Sequence, residues 1–160
     1  MSPYLTIRDA LPTDAQMISV LIQGEALYCT VNPNGESAEY FFSTITPGAI
    51  AGYITSPDFI YLLGFVGMEL AGVVAIRDGK HLYHLFVASK FHRRGIGSAL
   101  WTHAKTKALE SGNTEGFTVN SSLFAVPVYE RLGFKIRGTR VEEKGIVFVP
   151  MKSTGSYVRG

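Results

Sequence analysis

At 160 residues the chain fits one folded domain and is long enough to bury a core without disulfide or metal staples. Its composition is ordinary for a globular protein, 46% apolar and 18% charged, and a formal charge of +2 with no basic run longer than Arg93-Arg94 argues against nucleic-acid binding. Cys29 is the only cysteine, so an internal disulfide is excluded; with no 18-residue apolar run and no basic-then-apolar leader after Met1, the expectation is a soluble cytoplasmic protein without membrane contact.

Tyr4 to Arg8 alternates and reads as an opening strand, and Thr13-Asp14-Ala15-Gln16 has capping-box spacing before a helix that should reach about Leu27. Cys29, with no histidine near it in sequence, is read as buried rather than nucleophilic. Residues 30–47 contain the turn signal Asn32-Pro33-Asn34-Gly35 and are left unassigned, and a short helix follows Pro47 and stops before Pro57. Phe59 to Val66 and Leu70 to Ile76 read as a hairpin about Gly67, and Asp78-Gly79 is a second hairpin turn, leading into the strand Lys80 to Val87. Strict alternation there puts His81 and Tyr83 on one face and Leu82, His84 and Phe86 on the other.

Phe91-His92-Arg93-Arg94-Gly95-Ile96-Gly97-Ser98 then separates that strand from a helix whose buried face is Ile96, Leu100, Ala104 and Ala108. Glycines let a ligand oxygen reach the backbone, and the first N–H groups of a helix are unpaired and partly positive, so this turn suits an anion. No lysine stands where a P-loop needs one, and Leu100 stands where a dinucleotide fingerprint needs a third glycine. Gly116 to Asn120 reads as a strand parallel to the preceding one, Leu123 to Leu132 as a helix starting near Ala125 or Val126 because of Pro127, and Gly133 as its stop. Phe134 to Val141 and Ile146 to Met151 form a last hairpin about residues 142–145, and residues 153–160 a frayed tail after one domain spanning residues 1–152.

His92-Arg93-Arg94-Gly95-Ile96-Gly97 resembles the Gln/Arg-x-x-Gly-x-Gly/Ala pyrophosphate loop of the GNAT family of N-acetyltransferases, and Val128-Tyr129-Glu130-Arg131-Leu132-Gly133-Phe134 resembles that family's Tyr-Glu-Lys-Leu-Gly-Phe signature. The two stand in the family's order and separation. The resemblance implies an α/β fold: a mixed, mostly antiparallel sheet of about six to seven strands flanked by about four helices, splayed at a notch that admits acetyl-CoA. It implies acetyl-CoA as co-substrate and a primary amine of a small molecule or protein as acceptor, with a homodimer left open. It departs at His92, which occupies the family's Gln/Arg position.

By the same resemblance, His92, Arg93, Arg94, Gly95, Ile96, Gly97 and Ser98 hold the pyrophosphate, and Phe86 and Val87 offer backbone groups to the pantetheine, Val87 N–H doubling as oxyanion donor. Tyr129 matches the tyrosine that protonates the departing thiolate; a phenol of pKa about 10 can do so at pH 7. The family's asparagine seven residues before this tyrosine is Ser122 here, and Asn120 lies nine before it, so either contacts the cofactor. His81, eleven residues before His92, falls where some members carry a general base, against the alternative of a hydrogen-bonded strand histidine. His84 and His103 are weaker candidates, and a water relay needs no base residue. Glu25, Glu36, Glu39 and Asp58 could hold a cationic acceptor, although isolated acids are usually solvated. A CoA-binding sensor of the same fold without turnover is the competing function.

Overall fold

The computed structural model describes residues 4–30 and 38–153. In chain order it contains β1 (Leu5–Asp9), α1 (Ala15–Glu25), α2 (Glu39–Ser43), α3 (Pro47–Thr55), β2 (Phe59–Val66), β3 (Glu69–Arg77), β4 (His81–Val87), α4 (Ile96–Glu110), β5 (Phe117–Ser121), α5 (Val126–Arg131), β6 (Phe134–Ile136), β7 (Val141–Glu143) and β8 (Ile146–Ser153). The eight strands run in the order β1-β2-β3-β4-β5-β8-β6, with β7 also on β8, and every pairing is antiparallel except β4 with β5.

Two helical layers cover the sheet because its central strands are apolar on both faces. Leu62, Val74, Ile76 and Leu82 pack against Ile96, Leu100, Trp101 and Ala104 of α4, while Tyr61, Leu63, Val73 and Ala75 pack against Ile18 and Ile22 of α1 and Ile50 of α3. Leu100, fully buried, sits over the facing glycines Gly64 and Gly72, where added Cβ atoms would lie 3.2 and 2.9 Å from its methyl carbons. Those glycines let α4 approach closely, and Leu100→Ala would cost about 2–5 kcal/mol.

Local signals explain most element ends. Asp78 and Gly79 have φ of 56° and 72°, the paired left-handed residues of a type I′ turn. Thr46 accepts the Ala49 N–H at 3.2 Å, with Pro47 in the first turn of α3, and Gly133, at φ 102°, follows α5. The expected Thr13–Gln16 box is not what opens α1. Asp14 instead accepts the Leu11 N–H at 2.7 Å and both guanidinium nitrogens of Arg8, at 2.8 and 3.1 Å.

Three expectations are corrected. The last hairpin is not two strands: residues 137–140 break its first arm into β6 and β7, and the left-handed turn falls on Lys144 and Gly145, leaving Glu142 and Glu143 within β7. β8 runs through Ser153, while the rest of the expected tail, like the Asn32–Gly35 turn, lies outside the described residues. Most important, β4 does not alternate strictly. Ala75 faces His84 but Ile76 faces Leu82, so Tyr83 is an inserted bulge residue, and His84 and Phe86 turn to the face of Tyr83, toward α1 and α3, while Leu85 and Val87 join Leu82 beneath α4.

Candidate active site

β4 and β5 pair only at His81 with Thr118 and Leu82 with Val119. Beyond that point β5 bonds along its length to β8, from Phe117 opposite Ser153 to Ser121 opposite Val149, so residues 83–87 of β4 have no strand on that side. The result is a notch in the sheet, open at the end where α4 begins.

The hydrogen-bond phase of β4 determines which backbone groups face the notch. Ala88 donates to Ala71 O at 2.8 Å, so the next opposed pair, Gly72 and Val87, exchanges no bonds. Val87, and Leu85 two residues earlier, therefore turn their N–H and C=O away from β3 and into the notch. Phe86, expected to offer its backbone there, instead directs it to β3. Leu85 was missed because the expected pair rested on the family resemblance, whereas the phase of β4 is fixed only by its pairing with β3.

At the notch mouth, Arg93 and Gly95 have φ of 66° and 76°, two left-handed turns around Arg94. Ala99 N–H to Gly95 O, at 3.0 Å, is the first bond of α4, so the N–H groups of Ile96, Gly97 and Ser98 have no helical acceptor. Ile96 is buried and anchors the turn, whereas Arg93, Arg94, Gly95 and Ser98 are exposed. A Cβ at Gly97 would meet only Val87 Cγ2, at 3.6 Å, so the space beside this backbone is empty of protein. The open donors, helix dipole and two arginines fit a pyrophosphate.

A latch ties this loop to α1. Glu25, in the last turn of α1, accepts the Ser89 N–H at 3.2 Å and the Ser89 hydroxyl at 2.9 Å, and lies 4.0 Å from His92 Nε2. The His92 ring in turn bonds Val87 O at 2.7 Å. Glu25 is thus committed to the loop rather than to a cationic acceptor, and Ser89 went unread because its partner is 64 residues away. Glu39 and Asp58 are exposed, and Glu36 lies outside the described residues.

Tyr129 is buried in α5 and packs edge-on to Phe134 with ring centroids 5.7 Å apart. Burial, with the nearby Cys29 thiol acting in the same direction, pushes its phenol well above the ordinary range, so it is protonated at neutral pH. Burial also pushes the Cys29 thiol up to about 11, which makes it a poor nucleophile. Ser122 Oγ accepts the Ala125 N–H at 3.2 Å and so opens α5, while Asn120 is exposed on the face of β5 opposite the buried Val119 and Ser121.

The histidines separate clearly. His81 sits where β4 and β5 are still paired, with Nδ1 2.7 Å from Thr118 Oγ1, and is pushed down to about 4 by burial and then the Arg77 guanidinium, against the opposing Asp78 carboxylate. Six residues of strand, about 20 Å at 3.3 Å each, separate it from Val87. His84 is buried with Nδ1 2.9 Å from the Tyr61 hydroxyl and is pushed down to about 3 by burial. His103 is exposed on α4 and bonds its own helix at Ala99 O, 3.3 Å. An open cavity of about 400 Å³ lined by Asp9, Phe59, Tyr61, Lys107 and Glu110 contains none of these histidines. Among the described residues there is no metal-binding cluster, and no helix is long and apolar enough to cross a membrane.

Residues 29–154 match the model of the acetyltransferase (GNAT) domain. No curated protein matches the sequence significantly. Among solved structures, the chain resembles the PaiA N-acetyltransferase of Thermoplasma acidophilum in complex with coenzyme A, with 18% identity over 96% of this chain and 99% of that one and a TM-score of 0.77. It resembles the ribosomal-protein-S18-alanine N-acetyltransferase of Escherichia coli, with 16% identity over 97% and 96% of the two chains and a TM-score of 0.69. It also resembles an aminoglycoside 6'-N-acetyltransferase complexed with coenzyme A, with 13% identity over 97% and 99% and a TM-score of 0.72. At these identities the likeness is one of fold.

Proposed function

The chain belongs to the GNAT acetyltransferase family, and from this we propose that it transfers the acetyl group of acetyl-CoA directly to a primary amine of a small molecule or protein. The observation that carries the reading is the notch itself: β4 leaves β5 after Leu82, and the open N–H groups of α4 lie at its mouth. Structural neighbours in complex with coenzyme A support the donor. The neighbours' named acceptors, a ribosomal protein and aminoglycosides, support an amine without choosing one. The lone Cys29 supports a cytoplasmic setting.

In this proposal residues 93–98 hold the pyrophosphate, chiefly through backbone N–H groups. Val87 bonds the pantetheine arm, and Leu85 N–H, deeper in the notch, holds the thioester oxygen as negative charge develops on it. Asn120 is the side chain free to meet the arm, because Ser122 is engaged at α5. The amine lone pair attacks the thioester carbon, the C–N bond forms and the C–S bond breaks. Tyr129 gives its proton to the departing sulfur and is reprotonated from solvent by the proton the amine released.

A base must lie within hydrogen-bond reach of its proton, directly or through one water. At the closed end of the notch His81 lies four strand steps, about 13 Å at 3.3 Å each, from Leu85 and does not reach an amine at the thioester, so a water carries the proton out and His81 holds the β4–β5 pairing through Thr118. Thiol release from acetyl-CoA across an amine panel, with mass detection of acetylated product, tests the function. Binding of CoA without release for any amine would favour the sensor instead. His81→Ala tests the relay: kcat/KM between about pH 3.5 and 8 should keep its shape, and loss of an inflection near 4, where burial holds this imidazole, would restore His81 as base.

A further inference from the structure

The His92 side chain is committed before any ligand arrives. Its Nε2 lies 2.7 Å from Val87 O and 4.0 Å from a carboxylate oxygen of Glu25. A carbonyl oxygen can only accept, so Nε2 carries the proton of this bond whatever the charge on the ring. The backbone delivers the ring to that place. Residues 89–91 make one short helical turn that buries Phe91, and the His92 N–H closes it on Ser89 O at 3.1 Å.

The carbonyl that His92 holds is one that β4 turns into the notch. Val87 stands opposite Gly72 in a pair that exchanges no bonds, so neither its N–H nor its C=O is spent on β3. His92 takes one lone pair of Val87 O and leaves the other, with the Val87 N–H, for a ligand. A second contact joins strand and loop: Val87 Cγ2 lies 3.6 Å from the place of a Cβ on Gly97. That packing keeps the two together without fixing how the Val87 peptide is turned, whereas a hydrogen bond is directional. Arg93, at φ 66°, then bends the chain, so the unpaired N–H groups of residues 96–98 lie beyond a left-handed turn from His92. The strand edge and the anion loop are thus separate sets of groups, and the His92 bond joins them.

Resting on the acetyl-transfer reading, we propose that His92 is a positioning residue that sets the span between the anion loop and the open edge of β4, and so makes the site specific for a donor carrying pyrophosphate and pantetheine together. It is not itself a phosphate ligand. Binding energy gained at a remote group helps place the reacting atoms only when the two parts of the site keep a fixed separation. Without the His92 bond each part still binds its own half of coenzyme A, but the halves no longer reinforce each other.

The test compares calorimetric Kd values for CoA and for 3'-phospho-ADP, which has the pyrophosphate and lacks the pantetheine. His92→Ala should weaken CoA about three- to tenfold, the scale of one hydrogen bond, and leave 3'-phospho-ADP within about twofold. His92→Gln, which keeps an N–H donor, should hold both near the wild-type values. Equal weakening of the two ligands in His92→Ala would make His92 a phosphate ligand and overturn the proposal, as would an unchanged Kd for CoA. Failure of the wild-type protein to bind 3'-phospho-ADP would also overturn it, because the loop would then hold no phosphate of its own. Nitrogen-edited NMR of the wild-type protein needs no variant: the His92 proton should sit on Nε2 with and without 3'-phospho-ADP, and a bare Nε2 would overturn the proposal. Absence of thiol release from acetyl-CoA with every amine, with CoA bound as stated, would sink the acetyl-transfer reading alone.

Discussion

Gly97→Ala separates the fold from the cofactor loop more cleanly than any other change. The added methyl group meets only Val87 Cγ2, at an ordinary 3.6 Å, and lies in the first turn of α4 where no left-handed angle is needed. Replacing a helical glycine by alanine lowers the entropy of the unfolded chain and stabilises by about 0.5–1 kcal/mol. In a domain of this size that is a rise in Tm of roughly 1–4 °C. In the proposed complex with CoA the same methyl group would stand between the pyrophosphate and the open N–H groups of residues 96–98. Loss of one charge-assisted hydrogen bond costs about 1.5–3 kcal/mol, which weakens Kd by roughly 10- to 150-fold. Gly97→Val should weaken it further while the protein stays folded, because the larger side chain fills more of the same space. Gly95→Ala gives the opposite signature: at φ 76° a Cβ is strained by about 1–2 kcal/mol, so Tm falls. Calorimetric titration with CoA and a thermal melt decide. An unchanged Kd in Gly97→Ala and Gly97→Val, with native melts, would refute the assignment of this loop to the pyrophosphate.

Tyr129→Phe should keep CoA affinity and lower kcat by about 10²–10⁴-fold, the usual contribution of a general acid; lost affinity together with a lower Tm would make Tyr129 a packing residue. Glu25→Gln and Ser89→Ala should each raise KM for acetyl-CoA several-fold with little change in kcat, since they loosen the latch on the loop and touch no reacting atom; an unchanged KM in both would dismiss the latch. Stability should fall as pH drops below about 6.5. The unfolded histidines bind protons there, while folded His81 and His84 resist until about 4 and about 3. Asp14, held below the usual carboxylate range by Arg8, acts in the same direction at lower pH, so a denaturant midpoint that does not fall between pH 6.5 and 4 would contradict the burial of both histidines.

The signals that sequence carries are local, and they determined most of the elements and the glycine turn that opens α4. Periodicity placed Ile96, Leu100, Ala104 and Ala108 on the buried face of α4, and Asp78-Gly79, Pro47, Pro127 and Gly133 marked turns and ends by their own backbone preferences. The two GNAT motifs placed the chain in its family, and the domain match agrees. Three things were decided only by tertiary structure. Insertion of β8 between β5 and β6 depends on which strand is available to pair, a matter of long-range geometry that residues 134–153 do not encode locally. The Glu25–Ser89 latch joins groups far apart in sequence. The bulge at Tyr83 is the most consequential, because a strand's period is two, and a single inserted residue reverses everything after it. It moved His84 and Phe86 to the face covered by α1 and α3 and put Leu85 beside Val87 at the notch, as the pairing of Ile76 with Leu82 and of Ala75 with His84 records.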